Sequence, residues 1–380
     1  MTTDRKTRLK LGMVGGGQGA FIGAVHRIAA RMDDRFQLVA GALSSDPARA
    51  SASAAELGIA PDRSYASFEE MARAEAARED GIDAVAIVTP NHLHAGPSIA
   101  FLNAGIHVIC DKPLAASAAE AEAMKQAAAT SRARFFLTHN YTGYPLLRQA
   151  RAMVARGDLG RIRLVQAEYA QDWLTDVIEQ EGHKQAAWRT DPAQSGAGAI
   201  GDIGTHAFNL ACFVSGLAPQ ALSAELHSFG PGRQVDDNAH ILLRYAEGAR
   251  GMLWASQIAV GCENDLRLRI YGDKGGLEWE HQDPNQMRFT RFGEPKQILT
   301  RGGAGVGPDW TRVPPGHPEG YLEGFATLYT DIAEVIETGT DNPMLPGLQA
   351  GLDGMWFISA AQTSSADGGA WIPRKSPRLA

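Results

Sequence analysis

RLKLGMVGGGQGAFIGAVHRIA, Arg8 to Ala29, decides the fold. Leu9, Leu11 and Met13 alternate with polar or small neighbours as a short strand does, and the strand runs directly into a glycine-rich turn. A helical spacing of apolar residues follows at Phe21, Ile22, Val25, Ile28 and Ala29. Strand, turn and helix in that order are the context in which Gly15, Gly17 and Ala20 read as a dinucleotide fingerprint. Gly15 permits the tight turn, Gly17 lets the backbone approach a pyrophosphate, and small Ala20 lets helix and strand pack closely. The helix start at Phe21 and Ile22 then faces the phosphate charge.

Outward from this stretch, strand and helix alternate to about residue 139. Phe36–Leu43 is the second strand, followed by Ser44, Ser45, Asp46 and Arg49. An NAD enzyme usually places a carboxylate here for the ribose diol, whereas hydroxyls and an arginine suit a 2'-phosphate, so the sequence leans to NADP with NAD as the alternative. Asp46 reads chiefly as the cap of the next helix. Asp83–Thr89 is nearly all apolar, as in a strand covered on both faces, and ends in Pro90-Asn91-His92-Leu93-His94. Ile106–Cys110 and Ala133–Thr138 complete a doubly wound parallel sheet of about six strands. Lys112 follows the strand ending at Cys110, at the carboxyl end where such sheets collect ligands.

Residues 140–380 read as a second domain. Ile162–Tyr169, Ala221–Ser228, Ala239–Tyr245, Ala249–Ala259, Leu266–Tyr271 and Gly276–Glu280 are strands, several joined by short turns, which predicts a mostly antiparallel, open-faced sheet with helices. Phe289–Pro318 has no periodicity and reads as a loop. In Gly201–Leu210, GDIGTHAFNL, Asp202 stands four residues before His206; on an α-helix the two share a face, and a carboxylate there readies an imidazole for proton exchange.

The chain has 380 residues, 44% of them hydrophobic, and a net charge of -7 without a basic cluster, which argues against nucleic acid as a partner. No apolar run approaches a membrane span and the first ten residues lack a signal-peptide core, so a cytoplasmic protein is expected. Three scattered cysteines suggest neither disulfides nor zinc, and the histidines lack metal-ligand spacing, so no metal is expected. The apolar residues Ile241, Leu243, Met252, Trp254 and Ile258 exceed what one inward sheet face needs and predict a homodimer or homotetramer through that sheet.

With GMVGGGQGAFIG, VTPNHLH, CDKPL, HNYTGYP and GDIGTHAFNL in sequential order, the chain resembles the Gfo/Idh/MocA oxidoreductases. The resemblance implies a Rossmann domain, an open-faced sheet that often forms the oligomer interface, and hydride transfer between nicotinamide and a secondary alcohol or ketone carbon of a sugar, glycoside or cyclitol. Position by position it makes Lys112, Asp202 and His206 the catalytic set and places Thr89, Pro90, Asn91, His94 and Asp111 beside the cofactor. Trp188 and Arg189 match a pair that reaches the cofactor in some members. Asp111 departs from the usual glutamate and Asn209 from a frequent aspartate. From the residues themselves, Tyr169, Asp172 and Trp173 suit a sugar ring and its hydroxyls, and His317 is a second-tier substrate contact. Asp236-Asp237-Asn238 reads as a turn, and Glu319 as a helix-dipole acid. Two other functions stay open in the sequence: a redox-neutral glycosidase that oxidises C3 and eliminates, with Tyr141 or Tyr169 as an extra base, and a nucleotide-binding regulatory protein without chemistry.

Overall fold

The computed structural model describes residues 7–307 and 310–374. They form two compact units: the described residues up to Gly143 with Tyr321–Leu352, and Tyr144–Gly320 with the described residues from Asp353 on. The sequence suggests one cut after residue 139, but the chain returns to the first unit because residues 321–338 carry an apolar helix face. Phe325, Leu328, Tyr329, Ile332 and Ala333 join Leu11, Met13, Val25 and Phe36 in one buried core. Fully burying each larger side chain contributes roughly 1.5–3 kcal/mol.

The first unit is built from β1 (Leu9–Gly15), α1 (Phe21–Met32), β2 (Phe36–Ala42), α2 (Pro47–Glu56) and α3 (Phe68–Ala77). β3 (Ala84–Val88), α4 (Ala95–Asn103), β4 (His107–Cys110), α5 (Ala118–Thr130) and β5 (Phe135–Leu137) follow. The five strands are parallel in the order β2-β1-β3-β4-β5. Every residue of β3 is buried, as a central parallel strand requires. The order reverses between β1 and β3, so the topological switch point lies where the glycine turn and Thr89 leave the sheet. The sheet has five strands rather than six. Among the described residues, the edge beyond β5 is met by an isolated bridge from Phe136 to Gly347 and by Leu137 N donating to Pro346 O at 2.9 Å, and the chain leaves for the second unit after Gly143.

Two details of α1 depart from the sequence reading. Its close approach to the glycine turn is at Gly23, where a Cβ would stand 2.4 Å from Gly16 Cα, rather than at Ala20, which caps the helix. Phe21 and Ile28 are largely exposed, so the buried face runs through Gly23, Val25, His26, Ala29 and Ala30.

The second unit contains α6 (Pro145–Ala155), β6 (Ile162–Ala170), α7 (Lys184–Arg189), α8 (Pro192–Ser195) and α9 (Thr205–Ser215). Seven strands follow: β7 (Pro219–His227), β8 (Asn238–Tyr245), β9 (Arg250–Ser256), β10 (Asp265–Gly272), β11 (Gly275–Glu280), β12 (Gln286–Arg291) and β13 (Gln297–Thr300). α10 (Tyr321–Thr338) belongs to the first unit, α11 (Leu348–Ala366) is divided at Leu352, and β14 (Ile372–Pro373) ends the described chain. The nine-stranded sheet runs β13-β12-β11-β10-β6-β9-β8-β7-β14, antiparallel except between β6 and β9. β12 and β13 lie partly or wholly within the stretch read as loop. β13, four residues of which three are exposed, offers too little alternation to recognise.

One sheet face packs on α9. Ile241, Leu243 and Leu253 point to that face and are buried, so two of the residues expected on an oligomer surface are core. The opposite face carries Leu164, Leu242 and Met252, each more than two-fifths exposed, with the ion pair Arg269–Glu168 at 2.7 Å.

Candidate active site

In the first unit the expected cofactor residues collect at the carboxyl ends of the strands. Gly15, Gly16 and Gly19 have φ of 78°, 73° and 76°, which side-chain-bearing residues rarely adopt, and a Cβ on Gly17 would stand 2.8 Å from Leu43 O. α2, α3 and α5 are capped by Asp46, Ser67 and Ser117, whereas α1 starts at Ala20 without a side-chain cap. α4 and α6 lack one too, so what suits an anion here is the glycine turn ahead of α1 together with the positive end of the helix. This turn fits a dinucleotide pyrophosphate.

At the end of β2, Asp46 Oδ1 accepts from Arg49 N at 2.8 Å, and Ser44 Oγ accepts from Asp46 N at 3.1 Å. The carboxylate therefore caps α2, and the Ser45 and Arg49 side chains stand exposed beside it. After β3, Thr89 Oγ1 donates to Leu93 O at 3.0 Å, and Pro90 and Asn91 lead into a single helical turn. His94 is 1% exposed, with Nδ1 2.8 Å from Pro113 O and Nε2 2.9 Å from Thr89 O. Both ring nitrogens face carbonyls inside the protein, and the neutral ring donates its one N–H to one of them, so His94 sits between the β3 loop and the lysine segment. Burial pushes its pKa down, against the pull of Asp111 and the two carbonyls.

Lys112 is held from both sides. Asp111 N donates to Ile87 O at 3.0 Å, Thr138 Oγ1 donates to Asp111 Oδ1 at 2.8 Å, and His94 grips Pro113. Buried His26 adds Nε2 at 4.0 Å from Asp111 Oδ1 while its Nδ1 meets Tyr329 OH at 2.8 Å. Burial and the Lys112 charge together push buried His139 down to about 3, so that imidazole is neutral at working pH. Tyr141, in the turn Asn140–Gly143, is 3% exposed, as a core residue is.

In the second unit Asp202 and His206 do not lie on one regular α-helix. Ile200–Gly204 is a π-helical turn that passes into α9 at Thr205, so the spacing of four spans a wider turn than the sequence reading assumes. Such turns are rare and concentrate at functional sites. Asp202 Oδ2 accepts from Gln257 Nε2 at 2.9 Å and lies 3.3 Å from Arg189 Nε. Arg189 also stacks over Trp188, with its guanidinium carbon 4.3 Å from the ring centre. The Trp188-Arg189 pair thereby meets the candidate carboxylate. The Tyr169 ring sits 6.1 Å from the His206 ring, and its hydroxyl donates to Asn264 Oδ1 at 2.8 Å. Trp173 Nε1 donates to Gln171 Oε1 at 2.9 Å, and Asp172 Oδ2 accepts from Gly261 N at 3.1 Å. His317 is exposed, with its carbonyl gripped by buried Arg301. Among the described residues no three His, Cys, Asp or Glu side chains converge as a metal site.

A family model described as "Oxidoreductase family, NAD-binding Rossmann fold" matches residues 9–139, and one for the Gfo/Idh/MocA C-terminal domain matches 147–278. The chain belongs to the Gfo/Idh/MocA oxidoreductases. It is similar to an oxidoreductase from Sinorhizobium meliloti, 55% identical over 97% of this chain and 100% of that one, with a TM-score of 0.88. An inositol dehydrogenase homolog from Azotobacter vinelandii, solved with NADH and myo-inositol, is 34% identical over 97% and 98%, with a TM-score of 0.89. Levoglucosan dehydrogenase of Pseudarthrobacter phenanthrenivorans is 30% identical over 74% of this chain and 76% of its own length. As a Gfo/Idh/MocA protein the chain is an NAD(P)-dependent dehydrogenase acting on CH-OH groups, with an NAD-binding Rossmann domain. No helix among the described residues is long and apolar enough to cross a membrane.

Three supporting roles escape the motifs of this family. Gln257 holds Asp202, yet it stands in an apolar run and reads as an ordinary strand residue. Asp237 does close a turn, taking amides from Phe229 and Gly230, and Asp236 beside it does something else. Glu319 is not a surface helix acid: it is buried against Arg301, with Oε1 2.9 Å from Nη1.

Proposed function

We propose that this protein oxidises a secondary alcohol of a cyclitol or pyranose, with Lys112, Asp202 and His206 as its proton-handling groups. The observation that carries the reading is the pairing of an uncapped glycine-turn helix start at the sheet's switch point with a lysine clamped one strand further along. The bound nicotinamide supplies the hydride acceptor. His206 serves as general base toward the substrate hydroxyl, Asp202 orients it, and Lys112 stabilises the developing alkoxide, or lysine and histidine exchange these roles. Tyr169, Asp172 and Trp173 supply the contacts to ring and hydroxyls. The names of the relatives support cyclitols and anhydrosugars as the substrate class. Incubating the protein with NAD+ or NADP+ and a panel including myo-inositol and levoglucosan, and following absorbance at the reduced nicotinamide band, tests this. A panel without turnover overturns the reading, and aglycone release from a glycoside without net reduction replaces it with the redox-neutral one.

The adenosine end reads for NADP. Asp46 is engaged at the cap of α2, and exposed Arg49 stands on the first turn of that helix to meet a 2'-phosphate. A charge-assisted contact of this kind contributes roughly 1.5–3 kcal/mol, or about ten- to a hundredfold in Kd. Arg49→Ala is therefore expected to weaken NADP by at least about tenfold and leave NAD nearly unchanged in calorimetric titrations. A wild type that prefers NAD, with an unaltered NADP affinity in the variant, refutes it.

The exposed Leu164, Leu242 and Met252 on the free sheet face read as the contact of a homodimer or homotetramer. Leu242→Glu with Met252→Glu is expected to shift the mass seen by light scattering to the monomer, and a monomeric wild type rejects the assignment. A cytoplasmic location completes the reading.

A further inference from the structure

The π-turn that carries Asp202 is held from outside its own helix. Asp236, on the approach to β8, takes three successive amides at the entry to that turn. Its Oδ1 accepts from Gly198 N at 2.9 Å, its main-chain oxygen from Ala199 N at 2.8 Å, and its Oδ2 from Ile200 N at 2.8 Å. These are the donors a helix start leaves without intrahelical partners, and a carboxylate among them also meets the positive end of the helix. The fit is close enough to dictate the sequence opposite: a Cβ on Gly198 would lie 1.8 Å from Asp236 O. The next residue extends the same grip, because Asp237 O accepts from Gln257 N at 2.8 Å and the Gln257 side chain donates to Asp202. Residues 236 and 237 thus fix the turn at its entry and the Asp202 carboxylate at its tip.

We propose that Asp236 is a positioning residue for this site: by anchoring the amides of Gly198, Ala199 and Ile200 it keeps Ile200–Gly204 in π register, and so keeps Asp202 aimed. A π-turn holds one residue more than the α-helical path, so relaxation to α register turns Asp202, which lies inside it, by part of the roughly 100° that one residue spans and changes its direction relative to His206. The wider turn persists only while contacts outside the helix hold it, and Asp236 supplies three of them. Because this acts through Asp202, it rests on the catalytic reading given above.

The test is a double-mutant cycle on the full-length protein with NAD+ and myo-inositol, or with the fastest substrate of the panel should myo-inositol be slow. Asp236→Ala is expected to lower kcat at least about thirtyfold while the Kd for NAD+ stays within about twofold. In the Asp202→Ala background the same change is expected to cost less than about twofold, since nothing remains to be aimed. Asp236→Asn, which keeps one acceptor oxygen, should recover part of kcat, and it replaces the alanine variant in the cycle should that variant not fold. A crystal structure of the Asp236 variant needs no substrate and is expected to show residues 200–204 in α register. An intact π-turn, a near-normal kcat, or single effects that multiply in the double variant each overturn the proposal while leaving the catalytic reading in place. Wild-type turnover by Asp202→Ala is the separate outcome that removes the catalytic reading itself.

Discussion

Lys112→Met is expected to lower kcat by at least about a hundredfold with the cofactor still bound, which is what loss of a positioned proton-transfer group costs. The substitution keeps the length and the apolar stem of the side chain and deletes the ammonium alone. The backbone has no reason to move, because Asp111 N is bonded to Ile87 O, the Asp111 carboxylate accepts from Thr138, and the Pro113 carbonyl is gripped by His94. The three strand residues that precede Asp111, Val108, Ile109 and Cys110, are fully buried, so the segment is anchored in mid-sheet as well. Calorimetric titration with NADH should therefore return nearly the wild-type Kd, and the melting temperature should stay within about 2 °C. A variant that turns over at more than about a tenth of the wild-type rate removes Lys112 from the chemistry. A variant that has lost NADH binding instead assigns the lysine to the cofactor.

What the sequence discloses of such a site follows from how far each interaction reaches along the chain. The glycine turn, the switch-point loops, Lys112 and the pair Asp202 and His206 are legible because each is a local pattern. Gly15 needs positive φ within its own turn, and the apolar runs of β3 and β4 announce strands covered on both faces. The illegible parts are held by partners remote in sequence. The return of α10 to the first unit depends on Tyr329 meeting His26, 303 residues away. The π-turn is invisible in a spacing of four, because the amides that Asp236 anchors lie 36 to 38 residues from it. β13 is missed for a different reason, since an edge strand with both faces wet carries no alternation to read. His94, which the motif places beside the cofactor, is buried between the Thr89 and Pro113 carbonyls, a position that no spacing distinguishes from ligand contact.

The second large effect is expected far from the proton chemistry, at Arg301. Its guanidinium is almost fully buried, donating Nη1 to Glu319 Oε1 at 2.9 Å and to Val313 O at 2.8 Å, Nε to Asn285 Oδ1 at 2.9 Å, and Nη2 to the carbonyls of Pro314 and His317. Glu319 is equally buried, and besides the guanidinium its Oε1 accepts from Arg312 N at 2.7 Å. One cation therefore pins a stretch of Gly- and Pro-rich chain from Val313 to Glu319 that has no secondary structure to hold it. Arg301→Met removes the buried cation and leaves the Glu319 carboxylate with the half-buried Arg312 guanidinium, 3.8 Å from its Oε2, as the remaining charge partner. Breaking a buried pair from one side costs up to about 3–5 kcal/mol, much more than a surface ion pair contributes, and Arg312 offsets part of that here. Urea unfolding should show the midpoint falling with an unchanged slope. Arg301→Met with Glu319→Gln should recover part of the loss by removing a buried charge that Arg312, at 3.8 Å, compensates only in part. The loop also carries His317, so the single variant is expected to raise KM more than it lowers kcat for any substrate that His317 touches. Equal stability of Arg301→Met and wild type would show that the pair contributes nothing net and that the loop is held by its backbone contacts alone.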